Sequence, residues 1–259
     1  MPFSANELND LKRAKALLEN PGFAAKITNL LGSPLEKGLA RLPTKISDGV
    51  QKAAHASLMK ATNVAVSSMN SQIKPESSDG LHKIAATISG AAGGMFGLAA
   101  LAIELPVSTI IMLRSISDIA RSEGEDISDI DTKLSCLSVF ALGGKSASDD
   151  ATESGYFAAR TAMASAVSEA AKYLARKGAV DATAPAVVRL ISLIASRFGI
   201  VVSEKAAAQA VPIIGAVAGA MINSIFIDHF QDMARGHFIV RRLEKKYGEG
   251  VVQLAYKEA

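Results

Sequence analysis

The chain has 259 residues, 49% of them hydrophobic and 20% charged, with a formal net charge of +3 and no Trp. That length allows one large domain or two small ones, and so mild a charge excludes a nucleic-acid footprint, which needs a concentrated basic stripe. The lone Cys136 excludes an intrachain disulfide; it sits in the apolar stretch Leu134–Leu142 without a basic neighbour, so a buried, inert thiol in a reducing compartment is expected.

In chain order, the first turns carry Glu7, Asp10, Lys12, Arg13 and Lys15, so no secretory signal is expected there. Ser4 with Glu7, and Ser33 with Glu36, have the spacing of helix capping boxes, the second with Pro34 at the first helical position. Between residues 44 and 73, Ile46, Val50, Ala54, Leu58, Ala61, Ala65 and Met69 recur at steps of three and four, the apolar stripe of an amphipathic helix. Pro75–Gly80 reads as a linker. Ile84–Ile103 then runs twenty residues without a charge, including seven Ala and four Gly (Gly90, Gly93, Gly94, Gly97). That is the length of a membrane span, but small residues suit close approach of another backbone better than lipid contact. Pro106 predicts a break or kink between Ala102 and Pro106, because proline lacks an N–H and collides with the carbonyl four residues back.

Arg114, Asp118 and Arg121 follow at i, i+4 and i+7 and share one helix face. If buried, they form an ion-pair network with Glu104, or a polar pocket that grips a headgroup or small anion. Asp150 with Glu153 predicts another helix start, closed by Lys177 and Gly178. Val187–Val202 is an apolar helix or helix pair around Gly199. Ala206–Ile227 is a second uncharged run, broken by Pro212, in which Gly215, Gly219 and Asn223 fall on one face. It continues to a basic last turn, Arg241, Arg242, Lys245 and Lys246, with Gly248 as the stop. No segment alternates with period two. The expected fold is all-α, a single multi-helix domain whose two central Gly/Ala-rich helices pack closely together.

Chemistry-bearing motifs are sparse. His229 and His237 are eight apart, which is not a metal-ligand spacing on a helix. Gly143–Ser146 matches only the tail of a phosphate-binding loop, with Val139 where its first glycine belongs. No nucleophile elbow is present. No catalytic residue, metal or cofactor is assigned. The charge runs from basic through acidic to basic: ten Lys/Arg against seven Asp/Glu in residues 1–80, six against ten in 81–160, twelve against eight in 161–259. Basic ends fit an anionic membrane surface, with Arg241, Arg242, Lys245 and Lys246 as the contacts.

Three blocks carry a resemblance. Glu104–Thr109 with Leu113–Ala120 and Gly124–Asp126 resembles the signature of the EcsC family; Phe140–Gly144, Glu153–Arg160 and Asn223–Phe230 reinforce it. The resemblance covers residues 35–250, leaving 1–32 as an N-terminal helical extension to a domain over 33–259. The family is bacterial and named for a protein encoded beside an ABC-type exporter. The resemblance implies a helical, intracellular, membrane-associated protein and supplies no catalytic residues.

The reading these residues favour is a non-enzymatic helical accessory protein, cytoplasmic and peripheral at the inner membrane. It would bind a lipid or apolar ligand and support a transport or envelope process, with a membrane surface or a transport complex as partner. Its polar pocket draws on Glu104, Arg114, Asp118, Glu153, Arg160, Asn223 and His229. The alternatives are an integral protein with helical hairpins at 84–113 and 206–227, or a lipid- or peptide-acting hydrolase using Glu104, Asp118, Glu153 or His229.

Overall fold

In the computed structural model the Ser4 capping box forms: the Ser4 N–H and hydroxyl donate to Glu7 Oε2 at 2.8 and 2.7 Å, and the Glu7 N–H donates back to Ser4 Oγ at 3.3 Å. The structure describes residues 3–19, 22–31, 44–67, 97–143, 155–177, 181, 183–209 and 216–259. The helices are α1 (Ala5–Glu19), α2 (Phe23–Leu31), α3 (Thr44–Ser67), α4 (Gly97–Ser122), α5 (Ile130–Ser138), α6 (Gly155–Lys177), α7 (Pro185–Gln209), α8 (Ala216–Tyr247) and α9 (Glu249–Glu258), with a 3-10 turn at Val139–Ala141. No strand occurs among the described residues, and the fold is all-α.

The helices form because their apolar stripes find one another. Val50, Ala54, Leu58 and Ala61 of α3 are fully buried, as their spacing predicts, and α3 packs on α4 and α7. α8, the longest helix, runs past α1, α2, α4, α7 and α9. Near its middle, Phe226 and Phe230 meet Phe23, Phe140 and Phe198, with ring centroids 5.1 to 6.2 Å apart in mostly edge-on or tilted pairs. A second apolar cluster gathers Leu11, Tyr156, Phe157, Leu243, Val252 and Tyr256, so α1 and α9 close the end of α8. α8 ends at Tyr247, and Gly248 with φ of 86° makes the expected stop. The Cys136 thiol is buried, and that burial pushes it up to about 12.

One expectation is corrected. α4 runs unbroken from Gly97 through Pro106 to Ser122, so the break expected between Ala102 and Pro106 is absent. A missing N–H costs about 3 kcal/mol in a helix interior. Against it stands the buried face Leu105, Met112, Leu113 and Ile116, each large side chain contributing roughly 1.5–3 kcal/mol. The run 206–227, read as broken by Pro212, is shared between two helices: Ala206–Gln209 belong to α7, and residues 216–227 belong to α8. Val187–Val202 lies on the single helix α7.

Several expectations fall outside the described residues: the Ser33–Glu36 box, Met69, the Pro75–Gly80 linker, the helix start at Asp150 and Glu153, and the packing of Gly90, Gly93 and Gly94 on Gly215. Among the described residues one helix, α7, is long and apolar enough to cross a membrane, and 50% of its apolar window is buried inside the fold.

Candidate functional site

α4 ends in a Schellman turn, which places the first site residue. Gly124 takes φ of 87°, its N–H donates to Arg121 O at 3.0 Å, and the Glu125 N–H donates to Ala120 O at 3.0 Å. The reversal turns Glu125 inward, where its carboxylate accepts from Arg241 Nε at 2.9 Å, Lys245 Nζ at 2.9 Å and Thr132 Oγ1 at 3.0 Å. Burial alone would raise this carboxyl, but the Lys245 hydrogen bond, the Arg241 charge and the Thr132 hydroxyl hold it below its ordinary value.

α5 is enclosed along almost its whole length, with Thr132–Ser138 all buried, so its hydroxyls must be satisfied internally. Thr132 uses Glu125 and Ser138 uses Leu134 O, whereas Ser135 Oγ lies 2.7 Å from His237 Nε2 on α8. The other imidazole nitrogen, Nδ1, is 3.0 Å from the Tyr156 hydroxyl. Tyr156 and Arg160 stand one turn apart at the start of α6, and Arg160 Nη1 donates to the Tyr156 oxygen at 3.1 Å. Arg160 also grips Glu244 with both arms, at 2.8 and 2.9 Å. The α8 residues involved, His237, Arg241, Glu244 and Lys245, follow the helical repeat of one face.

Guanidinium is only ever a donor, which sets the direction of this chain. The Tyr156 oxygen accepts from Arg160, and its own proton finds its acceptor at His237 Nδ1. Nε2 therefore carries the ring proton and donates to Ser135 Oγ. The opposite tautomer would leave the buried Tyr156 proton without an acceptor among the described residues, at a cost of about 1–3 kcal/mol. His237 is held neutral, well below the usual histidine value, by burial and by the charges of Arg160 and Arg241. In this tautomer Nε2 is already protonated and cannot take the Ser135 proton, so the pair lacks the polarity of a nucleophile with its general base.

Ser135, Arg160, His237, Arg241 and Glu244 form the floor of an open cleft of about 770 Å³ between α5, α6, α8 and α9. Met163, Ala164, Val167 and Ala171 of α6 make an apolar wall, with Phe157 beside them. Asp129, Asp131, Lys172 and Glu249 stand around the mouth.

Of the residues singled out in the sequence, the structure brings Arg160 and Arg241 into this cleft. The others lie elsewhere. Glu104 accepts from Lys205 Nζ at 2.7 Å, and that buried ammonium lies 4.6 Å over the Phe226 ring. Arg114 and Asp118 are exposed, and Asp118 pairs with Arg121 at 2.7 Å, so the charged stripe faces solvent and does not hold a buried network. The reason is the opposite face of α4, whose larger apolar residues take the core. His229 is buried beside Phe23 and Phe230, 3.3 Å from Gly143 O, and burial, with the nearby Lys26 charge, lowers it to about 4. Asn223 Oδ1 is buried without a hydrogen-bond partner among the described residues. Glu153 lies outside the described residues. Arg242 pairs with Asp10 at 2.7 Å and Glu123 at 3.2 Å, Lys246 with Glu7 at 2.7 Å, and Lys245 and Arg241 with Glu125. Every member of the basic last turn is thus tied to a carboxylate of the same chain. Among the described residues no group of three His, Cys, Asp or Glu side chains gathers to hold a metal ion.

Sequence reasoning passed over Ser135, Glu244 and the role of His237. The signal was partial: Gly124–Asp126 and Tyr156–Arg160, two of the blocks that carry the resemblance, converge here on α8. The sequence profile of the EcsC protein family matches residues 5–243, nearly the whole chain, and the chain belongs to that family. The match begins at the start of α1, ahead of residue 33. No curated protein and no solved structure matches the chain.

Proposed function

We propose that this EcsC-family chain is a non-enzymatic binding protein whose cleft between α5, α6, α8 and α9 holds an amphipathic ligand, a lipid or similar molecule, in support of a membrane transport or envelope process. The observation that carries the reading is the juxtaposition of an apolar α6 wall with a floor of hydrogen-bonding groups in one cleft of about 770 Å³. That volume lies within the range of roughly 300–1,000 Å³ typical of small-molecule sites. A non-enzymatic role fits the direction of the Arg160–Tyr156–His237–Ser135 chain, which leaves Ser135 without a base. Membrane association rests on the high apolar content of the chain. Lys245 and Lys246 stay 55% and 61% exposed, but as members of ion pairs they offer an anionic surface only a screened attraction.

Native mass spectrometry of the untagged full chain, followed by organic extraction, tests this reading. A co-purifying amphiphile, or stoichiometric uptake of a fluorescent fatty acid lost in Ala164→Trp, is the expected result. Folded protein that carries nothing and takes up no amphiphile would overturn it.

A further inference from the structure

We infer that the cleft reads an anionic group, a carboxylate or phosphate at the ligand's polar end, through the two terminal amino groups of Arg241 and the hydroxyl of Ser135. This rests on the amphiphile reading of the cleft and specifies the chemistry of the head.

The hydrogen bonds assign the donors. Arg241 uses only Nε, on Glu125, so its Nη1 and Nη2 groups have no acceptor among the described residues, although the side chain is only 26% exposed and lines the cleft. Ser135 Oγ is already an acceptor, from His237 Nε2, and its own proton has no acceptor among the described residues. Both groups lie on the cleft floor, tied through His237, which stands one helical turn before Arg241 on α8. Two sets of idle donors in a partly dry cleft call for an acceptor that brings several lone pairs, and a planar or tetrahedral oxyanion matches the guanidinium fork.

The charge balance points the same way. Glu125 is one carboxylate facing two cations, Arg241 and Lys245. Arg160 and Glu244 cancel, and His237 is neutral. Among the described residues, the hydrogen-bonded network that includes the floor therefore carries one positive charge more than its carboxylates neutralise. At the mouth, Asp129, Asp131 and Glu249 outnumber Lys172, and all four are exposed. A polyanion such as a nucleic acid would be repelled there, while one compact anionic head on an apolar body passes the mouth and meets the excess charge inside.

The test uses the full chain and 11-(dansylamino)undecanoic acid, with the matching uncharged alcohol as its partner probe. The wild type should bind the acid at least about tenfold more tightly than the alcohol. Arg241→Gln should lower acid affinity to about that of the alcohol, and Ser135→Ala should weaken acid binding several-fold. Arg241→Gln leaves Glu125 with Lys245 and Thr132, so the fold has a replacement for the lost pair, and circular dichroism checks it; Arg121→Gln, on the solvent face of α4, is the control. Displacement by decanoate and decyl phosphate distinguishes the two heads, and either supports the inference. Equal affinity of wild type for acid and alcohol would overturn the anion site while keeping the amphiphile cleft. Binding of neither probe would overturn the cleft itself. Competition by inorganic phosphate as strong as that by decyl phosphate would keep an anion site and refute the amphiphile.

Discussion

Arg160 on α6 and Glu244 on α8, 84 residues apart in the chain, meet in a two-armed ion pair with both N–O distances below 3 Å. Glu244 is only 7% exposed, so the pair does more than decorate a surface. It holds the α6 wall against α8 and fixes the guanidinium that orders Tyr156 and His237.

Arg160→Met should therefore strand a buried carboxylate. The expected loss is about 3 kcal/mol, the low end of the range for broken buried pairs, because Arg160 itself is 24% exposed. Adding Glu244→Gln to that variant should recover part of the loss, since no charge is then left unpaired. Urea unfolding of the two variants measures this; a loss under about 1 kcal/mol in Arg160→Met would mean that water already satisfies the pair.

On α4, Arg114→Ala and Arg121→Ala should each change stability by no more than about 1 kcal/mol, because both side chains face solvent. Thermal unfolding of both variants checks it. A large loss confined to Arg114→Ala would restore the buried network the sequence suggested.

That contrast shows what the sequence could carry. The Ser4 box, the α3 stripe and the Gly248 stop rest on neighbours within a turn or two, and the structure has them where local spacing puts them. Spacing also showed that Arg114, Asp118 and Arg121 share a face, but not which face of α4 the core would take. Pro106 removes a local hydrogen bond, whereas the burial that outweighs it comes from other helices. The cleft was the least legible part, because the partners of His237, Ser135 and Tyr156, lie 102 and 81 residues away. Helical spacing put Arg241 on the face of His237; nothing local said that Glu125 would turn back to meet it.

Helix α8 crosses α1 at Gly236, where an added Cβ would lie 2.6 Å from Leu18 Cγ and 3.1 Å from Ala14 O. Gly236→Ala should destabilise by about 1–3 kcal/mol through overpacking against the branch point of the Leu18 side chain, with the Ala14 carbonyl close behind. At Gly250 in α9 a Cβ meets nothing within 4 Å, so Gly250→Ala should stabilise by up to about 1 kcal/mol through helix propensity. Melting temperatures moving in opposite directions are the expected readout; equal shifts would contradict the close α1–α8 crossing.

His229, lowered to about 4 by burial and by the Lys26 charge, sets a pH dependence of known sign. Between about pH 6.5 and 4 the unfolded chain takes up a proton that the folded chain refuses. Stability from this group is fully present above about 6.5 and falls as the pH drops through that window, by at most roughly 3 kcal/mol. His237 acts in the same direction, so the measurement is the difference between wild type and His229→Phe in denaturant midpoints from pH 7 to 4.5. The variant's curve should be flatter; parallel curves would show that His229 is protonated in the fold.

Photo-crosslinking tests the central claim most directly. The full chain is loaded with a long-chain fatty acid bearing a diazirine near its tail, irradiated, digested and mapped by mass spectrometry. Labels should concentrate on the α6 wall around Met163–Ala171, and Ala164→Trp should abolish them while the protein stays folded. Labels confined to the exposed apolar residues Met221, Val251 and Leu254, and unchanged by Ala164→Trp, would contradict the account.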